Sequence, residues 1–85
     1  LALAIEKARN LGPVSARWLH EIGVETLDDL TEMGAVAAYR HLKARSQMVS
    51  LNLLYAMQGA ILDIHWHHLP RELKISLKEA VETEV

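Results

Sequence analysis

Apolar positions along the chain recur every three to four residues, the period of a helix that buries one face, and nowhere alternate with polar ones as a strand's would. Leu3 to Arg9 read as a short first helix that stops at Asn10-Leu11-Gly12, where Asn and Gly tolerate left-handed backbone. Pro13, suited to a first helical position, opens a second helix with the apolar set Val14, Trp18, Leu19 and Ile22, and Gly23 closes it. Thr26 and Asp29 have the spacing of a capping box and launch a brief helix with Leu27, Leu30 and Met33 on one side, ended or bent by Gly34. Ala35 to Ala44 form a fourth helix, with Val36, Tyr39 and Leu42 in line and a basic last turn that suits the helix dipole.

Ser50 is the expected N-cap of a fifth helix, whose wide apolar stripe of Leu53, Leu54, Met57, Ala60, Ile61 and Ile64 predicts the most buried element of the fold. Gly59 lies inside it at a cost of about 1 kcal/mol relative to Ala, which implies a close helix crossing there. His65 to Leu69 breaks the pattern before Pro70 opens a last helix with Leu73, Leu77, Ala80 and Val81 inward and a fraying end at Glu82 to Val85. The predicted architecture is all-α: a compact orthogonal bundle of five to six short helices.

Composition narrows this picture. The 85 residues suffice for one domain with one modest core, and with no Phe that core must be built from Leu, Ile, Val, Ala and Met. Neither a disulfide nor a thiolate metal site is available without cysteine, and the expected setting is reducing and cytoplasmic. The longest apolar stretch, around Leu51 to Ile64, is too short and too polar to span a bilayer, and no signal peptide is visible. The chain opens on Leu1, and the expectation is a single domain, residues 1–85 with its core at about 8–80, excised from something longer.

A formal net charge of −2 argues against a general electrostatic grip on nucleic acid. The charges are nevertheless segregated, with an acidic block of Glu21, Glu25, Asp28, Asp29 and Glu32 followed by a basic group of Arg40, Lys43 and Arg45. Arg40, Lys43, Arg45, Asp28, Asp29 and Glu32 are the candidate partner surface; two solvated helix faces are the simpler account.

The stretch Asn10-Leu11-Gly12-Pro13-Val14-Ser15-Ala16 resembles a helix-hairpin-helix element, with Asn in the place of the turn's first glycine and Ala16 as the small residue that lets two helices pack. That likeness places the bundle among helix-hairpin-helix and SAM-domain-like folds. In DNA-binding relatives of the hairpin, backbone N–H groups and the helix N-terminus hold a phosphate. The corresponding donors here are Gly12, Val14 and Ser15, with Arg9 and Arg17 as candidate cations, because Val14 stands where a Lys often follows the Gly-Pro pair. One hairpin meets about one or two phosphates, so binding through it would be weak, with a shallow salt dependence.

Taken in order, Asn10-Leu11-Gly12-Pro13, Trp18-Leu19, Ile22-Gly23-Val24, Thr26-Leu27-Asp28-Asp29-Leu30, Gly34-Ala35, Ala38-Tyr39, Leu42-Lys43, Ser50 to Ala56, Gly59-Ala60, Ile64-His65-Trp66 and Leu69-Pro70 resemble the C-terminal domain of the TfoX (Sxy) regulators of bacterial natural competence. The resemblance covers roughly residues 8 to 80, and His67 and His68 depart from it. It implies a domain that follows an N-terminal TfoX domain or occurs alone, within positive regulators of DNA-uptake genes that act with the cyclic-AMP receptor protein at particular promoters. The partners it implies are proteins: the transcription machinery, that receptor protein, or the N-terminal TfoX domain. A homodimer and a weak DNA contact are the alternatives.

Catalytic chemistry finds little footing. Ser15, Ser46, Ser50 and Ser76 lack a nucleophile elbow, no phosphate loop occurs, and Asp28 and Asp29 are adjacent and so point to different sides of a helix. His65, His67 and His68 are close, but metal sites on helices place His at i and i+4, so the expectation is an ordinary loop in which His65 caps or hydrogen-bonds. Trp66 is expected to close that loop over the core, and Trp18 either to cover the junction of the first helices or to anchor a partner, an alternative open to Trp66 as well. The sequence thus points to a non-enzymatic module without cofactor or metal.

Overall fold

Helix ends decide where this chain turns, and most of them are set by local chemistry. The computed structural model describes residues 3–45 and 48–82. Its elements are a 3-10 turn at Ile5–Lys7, α1 at Pro13–Glu21, α2 at Leu27–Met33, α3 at Ala35–Ala44, α4 at Leu51–Leu62, a second 3-10 turn at Trp66–His68, and α5 at Arg71–Glu82. The expected fraying of the last residues lies outside the described residues from 83 on. The predicted all-α bundle is therefore what forms, with five α-helices among the described residues. Among the described residues no helix is long and apolar enough to cross a membrane.

Thr26 caps α2 as its spacing predicts: its hydroxyl accepts from Asp29 N–H at 3.1 Å, and the Asp29 carboxylate accepts in return from the N–H groups of Thr26 at 3.1 Å and Glu25 at 3.0 Å. Ser50 caps α4 by accepting from Leu53 N–H. Gly34 separates α2 from α3 at φ 89° and ψ 149°, a region essentially closed to residues with a Cβ. α4 ends at Asp63 in the left-handed region, with Ile64 N–H donating back to the Gly59 carbonyl at 2.9 Å, the 6→1 bond of a Schellman cap.

The predicted first helix is mostly not helical. Leu3 and Ala4 are drawn out against the segment before α2, with Ile5 N–H donating to Glu25 O at 3.0 Å and Leu27 N–H to Leu3 O at 2.8 Å around an isolated antiparallel bridge between Ala4 and Thr26. Only Ile5–Lys7 turn, so the hairpin keeps its second helix and reduces its first to one 3-10 turn. The few residues before Asn10 do not form enough helical bonds to outweigh pairing with a neighbouring segment.

The core gathers Ile5, Leu19, Val24, Leu30, Leu42, Leu54 and Met57, all fully buried, with Tyr39, Leu77 and Val81 at its edges. α4 lies at its centre, against α2, α3, α5 and the second 3-10 turn, as its stripe predicts. Each large aliphatic side chain buried there contributes about 1.5–3 kcal/mol. Val14 departs from the predicted inner face of α1: it is 51% exposed, while Ala16 and Leu19 face in. A small residue thus takes the close-packed position, as the hairpin likeness requires.

The close approach predicted at Gly59 exists, but the partner is not a crossing helix. Asn10, at φ 73°, reaches across with its side-chain amide, donating to Ile64 O at 2.9 Å and Ala56 O at 3.4 Å while its oxygen accepts from Trp66 N–H at 3.4 Å. A Cβ on Gly59 would stand 2.5 Å from that amide nitrogen and 2.8 Å from Ile64 O.

Two outcomes test these local rules. Gly59→Ala, which in an open helix gains about 1 kcal/mol, is expected to cost about 2 kcal/mol in urea unfolding, because methyl and clamp cannot share the space. Asn10→Gly, which keeps the left-handed backbone and removes the clamp, is expected to cost about 1–3 kcal/mol; a Gly59→Ala protein more stable than wild type would contradict the packing described. The second outcome concerns acid. Hydrogen bonds from the N–H groups of Glu25 first and Thr26 next hold the Asp29 carboxyl below its ordinary value. A depressed carboxyl stabilises the fold above its unfolded value, about pH 4, and that contribution is lost as pH falls through the folded one. The stability gap between wild type and Asp29→Asn, followed by urea titration, should be present at neutral pH and close in acid.

Candidate interaction surfaces

The hairpin presents the N-terminus of α1. Gly12 is its N-cap in an extended conformation, φ −102° and ψ −176°, and a Cβ there would meet nothing within 4 Å. The amides of Val14 and Ser15 fall in the first turn, where no intrahelical acceptor exists. Arg17 is exposed on the same helix. Arg9 is drawn elsewhere: its Nε lies 3.2 Å from the Asp63 carboxylate at the end of α4. Of the two candidate cations, one is thus engaged in holding the turn to α4.

The two charged groups are brought together. Arg45 on the end of α3 lies 3.8 Å from Glu21 on the end of α1, linking the basic group to the acidic block. Asp29 is occupied by the capping box, whereas Asp28 is exposed to solvent. Glu32, with Asp29, Gly23, Val24 and Met33, lines an open hollow of about 330 Å³. On the other side, Arg40 donates through Nη2 to the Ala80 carbonyl near the end of α5 at 2.8 Å. Arg40, Lys43, Ala44 and Val81 line a second hollow of about 290 Å³, at which Lys43 is exposed.

A third surface forms where the sequence predicted a covered loop. Trp66 is only half-buried, and its ring is close to parallel with those of Tyr55 (18°, centroids 6.5 Å apart) and His65 (21°, 6.3 Å). The Lys74 ammonium lies 5.6 Å from the Trp66 centroid and 5.8 Å from that of Tyr55, within cation–π range of both. His65 hydrogen-bonds as predicted, its Nδ1 accepting from His67 N–H at 3.2 Å. Among the described residues no three His, Asp or Glu side chains are arranged to hold a metal ion; Ser46 lies outside the described residues. The aromatic–cation grouping was not predicted, because Tyr55 and Lys74 lie 11 residues before and 8 after Trp66 in sequence and meet only when α4 and α5 pack.

The likenesses of the whole chain agree with the order of motifs. Two crystal structures from Listeria monocytogenes share its fold. One, an uncharacterised protein in a triclinic form, is 28% identical over 95% of this chain and 96% of its own, with a TM-score of 0.86. The other, a protein of unknown function in a tetragonal form, is 29% identical over 93% of this chain and 98% of its own, with a TM-score of 0.87. No curated protein matches. The family model described as the TfoX C-terminal domain matches residues 2–81, and the chain belongs to that family.

Proposed function

We propose that this domain is a non-enzymatic regulatory module of a natural-competence regulator, acting in transcriptional activation by holding a protein partner. The observation that carries the reading is the family match over residues 2–81, the C-terminal domain of TfoX. The surface supports it: exposed Lys43 and Arg40 line a hollow together with Ala44 and Val81, a mixture of charge and apolar area that suits a protein contact. The partner is the transcription machinery, the cyclic-AMP receptor protein or the regulator's own N-terminal TfoX domain, in the cytoplasm.

Lys43 is the better probe of this face, because Arg40 also ties α3 to α5 and its loss would mix structure with recognition. Lys43→Glu in the full regulator is expected to lower promoter activation severalfold while leaving the stability of the domain within about 0.5 kcal/mol, as for other exposed positions. Capture of the transcription machinery by the full regulator, compared with the regulator lacking this domain, supplies the direct readout; undiminished capture and activation without the domain would reject the reading.

The hairpin's phosphate contact is a second reading, favoured by the open N-terminus of α1 at Gly12. Since Gly12 is an N-cap with ordinary backbone angles, Gly12→Asp is expected to fold at least as well as wild type, Asp being a better cap. Duplex binding at low salt should then vanish in this variant with thermal melting intact; binding that persists would discard the contact.

A further inference from the structure

We propose that the corner formed by the second 3-10 turn and α5 is a stacking platform for single-stranded nucleic acid. Two features meet there. One is the aromatic group around Trp66: Tyr55 and His65 lie nearly parallel to its ring, while His67 packs tilted against it at 4.0 Å and 54°; Trp66 and Tyr55 are half-buried and both histidines exposed. The other is a basic run along α5: Arg71, Lys74 and Lys78 stand at i, i+3 and i+7 and therefore share one face of the helix over about 10 Å. Lys74 joins the two, since its ammonium lies 5.6 Å from the Trp66 ring centroid and 5.8 Å from that of Tyr55. Glu72 and Glu79 fall about a quarter-turn around the helix from this run, and Glu82 closes it at the C-terminal end.

Aromatic faces followed by a short line of cations are the chemistry by which proteins hold unpaired bases together with their phosphates. A duplex keeps its base faces stacked inside, so the aromatic group selects single strands. An acidic protein can bind this way because stacking carries part of the affinity that phosphate contacts alone would otherwise have to supply. The platform is also held in place: the Trp66 backbone is fastened to Asn10 through its N–H, so the ring is presented on a fixed turn. This surface uses other side chains than the hairpin's amide donors and the Arg40 and Lys43 hollow, although it shares α5 with that hollow through Val81.

The test is titration of the chain carrying Trp18→Phe with an oligothymidylate of about eight nucleotides at low salt, following the fluorescence of Trp66, the remaining tryptophan. Saturable quenching is expected. Measured by the anisotropy of a dye-labelled oligonucleotide, Trp66→Ala should weaken binding about tenfold or more. Lys78→Glu, at an exposed position, should weaken it with unchanged circular dichroism and lower the slope of log affinity against log salt by about 0.7. Absence of quenching, equal binding of a duplex of the same length, full affinity in Lys78→Glu, or saturation by a proline-rich peptide in place of the oligonucleotide would each overturn the proposal.

Discussion

A side-chain amide offers two donor hydrogens and an acceptor oxygen on one rigid plane, and Asn10 uses both kinds of group on the backbone of α4 and of the turn that follows it. Its nitrogen faces the carbonyls of Ala56 and Ile64 and its oxygen the Trp66 N–H. Only a residue able to stand at φ 73° can aim the amide there from the hairpin turn, and only a glycine at position 59 leaves it room. The first turn, the end of α4 and the second 3-10 turn are thereby one unit, reinforced outside by the Arg9 and Asp63 pair. Among the described residues, no buried side-chain nitrogen or oxygen lacks a partner, so this polar clamp rigidifies the structure without the penalty of a half-satisfied network.

That unit accounts for the surfaces. Asn10 precedes Gly12 and Pro13, which start α1, and its bond to the Trp66 N–H ties the second 3-10 turn, with its aromatic rings, to the hairpin turn. The Arg45 and Glu21 ion pair and the contact of His20 with Glu6 at 3.5 Å lie at the C-terminal end of α1, where partial exposure keeps their contribution small. Their effect is on the surface pattern: cations and anions that look segregated along the chain partly neutralise one another in space. Lys43, Lys78 and Arg17 are among the exposed cations and lie on three different helices.

The sequence by itself determined the helical period of the chain, the capping box at Thr26, the Ser50 cap, the breaks at Gly23 and Gly34, the central place of α4 and the family. The caps, the breaks and the helical period depend on residues a few positions apart, where backbone geometry and side-chain chemistry act locally, and the family rests on the order of motifs along the chain. It also signalled that Asn10 and Gly59 were unusual, one as a left-handed residue and the other as a close approach. What only the tertiary structure decided was that these two signals are one contact, 49 positions apart. Tertiary packing also pulled Leu3 and Ala4 out of a helix to pair beside Thr26, turned Val14 outward, diverted Arg9 to Asp63, and gathered Tyr55, Trp66 and Lys74 at one corner. Each of those outcomes is a competition between distant segments for the same hydrogen bonds or the same space, and local periodicity carries no record of which distant segment wins.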